Sequence, residues 1–313
     1  MERIRQAVER ARGPGVSNGQ SQQYTQQPPV GMPAAASSAR REPVLLNGRH
    51  LESMRVISHD IADPRSKSFD MLRTQVLQSM DANSWRFLGI TSPTAECGKS
   101  IVATNLALSI ARQPEKSVLL VDMDLQKAQV AKQLGLRCDQ GLIGVLRGKT
   151  DLSRAIVPVG IKNSKLLVLP CETTVPNSSE WMASRSMAAL LKQLNRDFKN
   201  WTIILDLPPI LLTDDVISIL PQIDCVLFVA AAGLTTAPEI KECNKHLEAT
   251  PVVRIVLNKA TDTSAAYYYG YSRYGSSPAP QAKANGRASA RPAGVGRSIP
   301  SSLRKLVDRL TRF

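Results

Sequence analysis

The chain is expected to fold as an α/β domain whose mostly parallel sheet carries helices on both faces. Three observations support this. Six short apolar runs, at 87–91, 117–121, 166–169, 202–205, 225–229 and 253–257, alternate with stretches of helical spacing, and strands read as unbroken apolar runs when both their faces are covered. Acidic residues stand at the ends of two runs, Asp122 and Asp124 after one and Asp206 after another, where a doubly wound sheet gathers its ligand site. Gly98-Lys99-Ser100 follows the first run and opens a strong helix pattern over 101–112, with Val102, Leu106 and Ile110 on one face.

Taken in order, residues 1–50 hold a short charged helix pattern, Glu2 to Arg12, and then Gln, Ser, Pro and Ala-rich sequence expected to be disordered. The folded domain is placed at 51–262. It begins with an amphipathic helix over 69–80, in which Phe69, Leu72, Val76 and Leu77 share a face and Arg73 lies on another. The strands and helices named above follow. Residues 263–275 contain the tyrosine cluster, 276–300 are a Gly, Ala, Pro and Arg-rich linker, and 301–313 form a compact helical pattern.

Composition narrows the function. No run approaches the ~20 apolar residues of a membrane helix, and the first residues lack the apolar stretch of a secretory signal, which leads to the expectation of a cytoplasmic protein. Five cysteines without a CxxC pair suggest neither a disulfide framework nor a zinc site. The formal charge of +14 lies mostly in the tails: eight Arg oppose four Glu in residues 1–55, and eight Lys or Arg oppose Asp308 in residues 276–313. Without aromatics interleaved in a sheet pattern, these tails fit an acidic membrane surface or partner better than nucleic acid.

The order strand, Gly-Lys-Ser, helix suits phosphate. Loop amides and a helix N-terminus offer partial positive charge, Lys99 neutralises the outer phosphates, and the Ser100 hydroxyl can ligate Mg²⁺. Thr94, Ala95, Glu96, Cys97, Gly98 and Ile101 complete the candidate nucleotide loop. Its spacing departs from GxxxxGK[ST], because Pro93 stands at the first glycine position. Three carboxylates at buried strand ends call for a cation or bound water between them. For Asp122 and Asp124, capping of a helix N-terminus is the alternative. Cys97, beside a lysine and a helix start, stands where a thiolate would be favoured; small inert filler is its plainer use.

Five of the six tyrosines, Tyr267, Tyr268, Tyr269, Tyr271 and Tyr274, fall within eight residues just after the last strand. A core does not need phenols spaced among Gly and Ser, whereas a chain that transfers phosphate to tyrosine does. An aromatic docking patch is the other reading.

Strand–GKS–helix, then strand–DxD, strand–DxPP and a C-terminal tyrosine cluster together resemble the bacterial P-loop tyrosine kinases of capsule and exopolysaccharide biosynthesis, relatives of the Min/Par ATPases. The resemblance runs from about Lys67 to Tyr274. Pro176-Asn177-Ser178-Ser179-Glu180 is similar to the family's Pro-Asn-Pro-x-Glu segment, and Asn258 to its last-strand asparagine near the base, a residue that could equally cap a turn. The resemblance implies a P-loop NTPase fold and an ATP and Mg²⁺-dependent autokinase. In it Lys99 binds the β and γ-phosphates, Ser100 ligates the metal, Asp122 and Asp124 flank the γ-phosphate, one holding metal water and the other accepting the tyrosine proton without the resemblance settling which, and Asp206 holds the metal's outer shell. The phosphoacceptors are the five clustered tyrosines of a neighbouring subunit. Implied partners are a membrane-embedded chain-length or co-polymerase activator, further copies of the chain and a tyrosine phosphatase.

Three departures from the family pattern stand out. The loop reads Ala95-Glu96-Cys97-Gly98-Lys99 where Pro-Gly-Glu-Gly-Lys is usual. Gln126 takes the place of an arginine two residues after the second aspartate. Of the ring-forming Glu-x-x-Arg-x-x-Arg motif, written here Lys67, Asp70 and Arg73, only the last arginine survives. In the tail, Leu303, Leu306, Val307, Leu310 and Phe313 recur at helical spacing with Arg304, Lys305, Arg309 and Arg312 around them, a basic amphipathic pattern suited to anionic lipid, a partner or its own domain. A Min/Par-type ATPase switch without tyrosine chemistry, and a non-catalytic nucleotide-binding scaffold of an export complex, are the competing functions.

Overall fold

The computed structural model describes residues 42–160 and 166–260. The tyrosine cluster, the linker, the tail pattern at 301–313 and most of the N-terminal extension lie outside these residues.

Eight strands form one sheet in the order β1-β4-β5-β3-β6-β2-β7-β8. They are β1 Val44–Leu45, β2 Phe87–Thr91, β3 Val118–Asp122, β4 Val157–Gly160, β5 Leu166–Leu169, β6 Thr202–Asp206, β7 Cys225–Ala231 and β8 Val252–Asn258. Every pairing is parallel except β4 with β5. Side chains alternate across the strands: Leu119, Val121, Ile203 and Leu205 enter one apolar layer, while Val118, Leu120 and Ile204 enter the other. Covered on both faces, these strands have no solvent side, which explains their unbroken apolar sequence.

Helix α1 spans Gly48–Ser53, α2 Ser66–Ala82 and α3 Lys99–Ala111. All of α3 except Ile101 is buried, as its nearly all-round apolar sequence requires. Helix α2 covers α3 through Val76, Leu77 and Met80. Four short helices follow: α4 Val130–Leu134, α5 Leu142–Leu146, α6 Leu152–Ala155 and α7 Ser178–Met182. Helix α8, Arg185–Asp197, buries Met187, Leu190, Leu191 and Leu194 along one stripe, and the Ser184 hydroxyl accepts the Met187 amide at its start. Helix α9, Asp215–Ile219, precedes β7, and α10, Ala237–Leu247, opens with a Thr236–Glu239 capping box.

The six expected strands are present within two residues of their sequence limits. Two more, β1 and β4, complete the sheet. Because Val44 pairs with Val159 and Leu45 with Gly160, and α1 begins at Gly48, regular structure starts ahead of the Leu51 boundary read from composition. Among the described residues no helix is long and apolar enough to cross a membrane. All five cysteines are free thiols.

Candidate functional site

The parallel strands β2, β3 and β6 and the edge strand β8 all end at one rim of the sheet, and their following loops build the site. The loop after β2 is tied to the loop after β6: the Thr91 hydroxyl donates to the Pro208 carbonyl at 2.7 Å, and the Ile210 amide to the Ser92 carbonyl at 2.9 Å. Gly98 turns the chain into α3 at φ +90°, a left-handed conformation that glycine adopts without steric cost. A β-carbon there would also run into Asn258 Nδ2. That amide instead donates to the Cys97 carbonyl at 2.9 Å. Glu96 is left-handed too, at φ +66°, with its side chain exposed; this conformation costs a residue with a β-carbon roughly 1–2 kcal/mol.

Lys99 is the buried cation of the site. Its Nζ lies 2.7 Å from Asp124 Oδ2, 3.6 Å from Asp206 Oδ1 and 3.3 Å from Ser100 Oγ. Burial alone would pull its pKa down, but the Asp206 and Asp124 carboxylates overcome it and hold the ammonium above its ordinary value. Asp206 is fully buried and neither carboxylate oxygen makes a hydrogen bond; burial raises its pKa despite Lys99. Asp122 is committed to backbone. Its Oδ2 accepts the Gln129 and Val130 amides, both at 3.0 Å, at the start of α4. Burial and then repulsion from Asp206 push Asp122 up to about 8. The capping alternative therefore describes the Asp122 side chain, while Asp124 joins the lysine and also accepts the Lys127 amide at 2.9 Å.

The residues fit a magnesium–phosphate group. Asp206 offers two buried oxygens without hydrogen bonds beside Lys99, and the Ser100 hydroxyl stands next to that lysine. Among the described residues no three His, Cys, Asp or Glu side chains are arranged to enclose a metal. Mg²⁺ suits such a place, because it takes few protein oxygens and completes its octahedron with water and phosphate.

A cavity of about 650 Å³ opens over this arrangement, lined by Ala95, Glu96, Gly98, Lys99, Ser100, Ile101, Asp124 and Asn258 among the residues expected from sequence. Thr94 and the buried Asp122 and Asp206 do not line it. The Cys97 side chain turns away into the core, its Sγ 3.6 Å from Thr235 Oγ1, so only its backbone belongs to the loop. The lining also includes Lys259, Pro208 and Pro209, and Arg55, Ile57, Phe69, Lys127, Gln129 and Gln133.

Sequence reading did not single out Arg55, Gln129 or Gln133, which no local pattern connects to the phosphate loop. Gln126, which replaces an arginine, lines the cavity and donates to Ser178 Oγ at 2.7 Å. The next residue, Ser179, bonds Asp214 and lies 2.6 Å from Asp215 Oδ1, so the 176–180 segment joins the second strand-end loop to α9. Away from the cavity, Arg73 is held within its own chain: its guanidinium donates to Asp70 at 3.1 Å and to the Ser109 carbonyl at 3.1 Å, and Arg112 bonds the same Asp70 oxygen.

Residues 88–275 match the CobQ/CobB/MinD/ParA nucleotide binding domain. The chain is 32% identical over 212 residues to CapB of Staphylococcus aureus, an alignment covering 66% of this chain and 90% of that one. It is 29% identical over 212 residues to the tyrosine-protein kinase ptk of Acinetobacter johnsonii, covering 67% of this chain but only 28% of that much longer protein. Among solved structures, the kinase domain of Escherichia coli tyrosine kinase ETK aligns with a TM-score of 0.61 at 25% identity, over 82% of this chain and 92% of that domain.

Proposed function

Because this chain belongs to the CobQ/CobB/MinD/ParA nucleotide-binding family, with bacterial tyrosine-protein kinases among its relatives, we propose that it is a Mg-ATP-dependent tyrosine autokinase of exopolysaccharide or capsule assembly. Its acceptors are Tyr267, Tyr268, Tyr269, Tyr271 and Tyr274 of a neighbouring copy. The observation that carries this reading is the buried Lys99 between Asp124 and Asp206, on a chain whose tyrosines follow the strand ending at Asn258.

In this reading Lys99 faces the β and γ-phosphates, with Ser100 and Asp206 placed to hold Mg²⁺ directly and through water. The metal supplies charge neutralisation on the phosphates. The Gly98 to Ile101 amides present the α3 N-terminus to the same oxygens. Asn258 fixes the loop and marks the base end of the cavity. A phenol with its ordinary pKa near 10 is protonated at neutral pH, so its proton must pass to a carboxylate. Asp124, which lines the cavity, is positioned to accept it; Asp122 supports the loop from below.

The wider setting follows the same proposal: a cytoplasmic chain at the inner face of the membrane, a membrane-embedded co-polymerase activator, self-association, an opposing phosphatase, and contact of 301–313 with anionic lipid. The test is incubation of the full chain with Mg-ATP, with and without the activator's cytoplasmic segment, and mapping of phosphate by mass spectrometry, with Lys99→Ala as control. Phosphotyrosine at 267–274 supports the kinase. Hydrolysis without phosphotyrosine would replace it with the ATPase switch, and neither activity with the scaffold.

A further inference from the structure

One arginine in the cavity wall has no part in the constellation just described. Arg55 follows α1 in a left-handed conformation, φ +61°, at a helix-ending position usually taken by glycine. Its amide bonds the Glu52 carbonyl at 2.9 Å and the Val56 amide returns to the Leu51 carbonyl at 2.8 Å. Keeping arginine there costs roughly 1–2 kcal/mol of backbone strain, and strain of this kind gathers at functional sites.

The turn is gripped by Asn105, a fully buried residue of α3. Its Oδ1 accepts the Ile57 amide at 2.8 Å and the Ser58 amide at 2.9 Å, while its Nδ2 donates to the Arg55 carbonyl at 3.1 Å and the Ile101 carbonyl at 2.9 Å. All four hydrogen-bonding positions of the amide are filled, and the turn is thereby fixed to the helix that begins at the phosphate loop. The Arg55 guanidinium, by contrast, makes no hydrogen bond or ion pair with another described residue and is exposed in the cavity wall.

Its place along the cavity is set by the sheet order. Asn258 ends β8, on one side of β2, and the Asp122–Asp124 loop follows β3, on the other side. Helix α1 lies on the β3 side, because His50 Nε2 bonds the Lys132 carbonyl of α4 at 2.9 Å. With the base toward Asn258, Arg55 lies on the opposite side of β2, the side of the Asp122–Asp124 loop. Gln126, also in the wall, is uncharged, and its neighbour Lys127 lines the cavity as well.

We propose that Arg55 supplies in cis the cation that Gln126 does not, contacting the γ-phosphoryl oxygens during transfer, with Asn105 as its positioning residue. This rests on the tyrosine-kinase reading for its chemistry. As the phenol oxygen forms its bond to phosphorus, the bond from phosphorus to the β-phosphate bridging oxygen breaks, ADP departs with that electron pair, and the phenolic proton passes to Asp124. The guanidinium balances the charge on the transferring group, a role that elsewhere is worth about 10³–10⁵ in kcat. Ile57 and Phe69, which also line the cavity, give the incoming ring an apolar surface.

The experiment combines binding and turnover on the full chain. Arg55→Ala is expected to weaken Mg-ATPγS at least about tenfold while leaving Mg-ADP within about twofold, and to cut kcat for tyrosine phosphorylation at least about 100-fold. Arg55→Lys should recover part of both losses. Asn105→Ala should follow Arg55→Ala in its ATPγS-to-ADP ratio, and its thermal unfolding, measured in parallel, tells a lost position from a lost fold. Equal affinity for ATPγS in wild type and Arg55→Ala, or an equal loss for ATPγS and ADP, overturns the assignment. Unaltered kcat in Arg55→Ala overturns it while the kinase reading stands. A wild type that makes no phosphotyrosine overturns the kinase reading and with it the transfer role, whereas the nucleotide arms alone decide whether Arg55 meets the γ-phosphate.

Discussion

Asn258 and Gly98, 160 positions apart in sequence, are packed so closely that the asparagine amide fills the space a β-carbon on the glycine would need. The last strand of the sheet therefore shapes the first turn of the phosphate loop. Gly98→Ala should meet both a left-handed backbone and this contact, and is expected to reduce nucleotide affinity at least about 100-fold, roughly 2.7 kcal/mol, measured by fluorescent-nucleotide titration. In a double mutant with Asn258→Ala the contact is relieved but the φ of +90° remains, so recovery should be partial. Full recovery would show that conformation is immaterial at this glycine.

Removing Lys99 should affect folding as well as function. The lysine is the counter-charge for Asp124 and Asp206, and breaking a buried pair by deleting one partner typically costs about 3–5 kcal/mol. Urea denaturation of Lys99→Met without Mg²⁺ is expected to show a loss of that order, partly reversed in the Lys99→Met, Asp124→Asn double mutant. Equal stability of wild type and single mutant would mean that the carboxylates find another cation.

The raised pKa of Asp122 gives a pH dependence with a definite sign. In the unfolded chain the group titrates near 3.8 and in the folded, metal-free protein near 8. Between these values the folded state holds a proton that the unfolded state has released, so stability falls as pH rises from about 4 to about 8, then levels off for this group. The urea midpoint of wild type in EDTA should fall from pH 6 to pH 9. Asp122→Asn, whose amide oxygen can still accept the Gln129 and Val130 amides, should flatten that fall; an unchanged slope would assign it to another group.

Glu96 carries strain that glycine would not. Relief of its left-handed conformation, roughly 1–2 kcal/mol, is partly offset by the greater freedom of glycine in the unfolded chain, roughly 0.5–1 kcal/mol. Glu96→Gly is therefore expected to raise stability by about 0.5–1 kcal/mol and to tighten Mg-ATP binding by removing a negative charge from the cavity wall. Calorimetric melting and nucleotide titration check the two effects separately. A lower melting temperature would show that the Glu96 side chain stabilises the fold by more than its backbone strain costs.

Much of the fold could be read from sequence because burial on both faces leaves an apolar run. Strands β2, β3 and β5 to β7 announce themselves in this way, and β8, though only partly buried, still reads as an apolar run because five of its seven residues are aliphatic. Strand β1 has two exposed residues, and β4 includes Pro158 and is only partly buried, so neither leaves that mark. Helices α4 to α7, none longer than five residues, are too short to show a period. At the site, Lys99, Asp124 and Asp206 were legible because strand ends and a helix start fix their positions. Arg55 was not: it reaches the cavity through Asn105, a tertiary grip that no spacing encodes.

Asn258 is at once the last residue of β8 and part of the cavity rim, and that double position bears on kinetics. Tyr267 follows nine residues later, and nine residues span at most ~30 Å when fully extended, so under the proposed kinase reading the first acceptor is leashed to the mouth of the candidate site. A leashed acceptor that enters its own site reacts in first order, with a half-time indifferent to dilution. One that enters a neighbour's site slows as the chains are diluted. A dilution series of the autophosphorylation rate would therefore show whether the leash delivers the tyrosines home or hands them across.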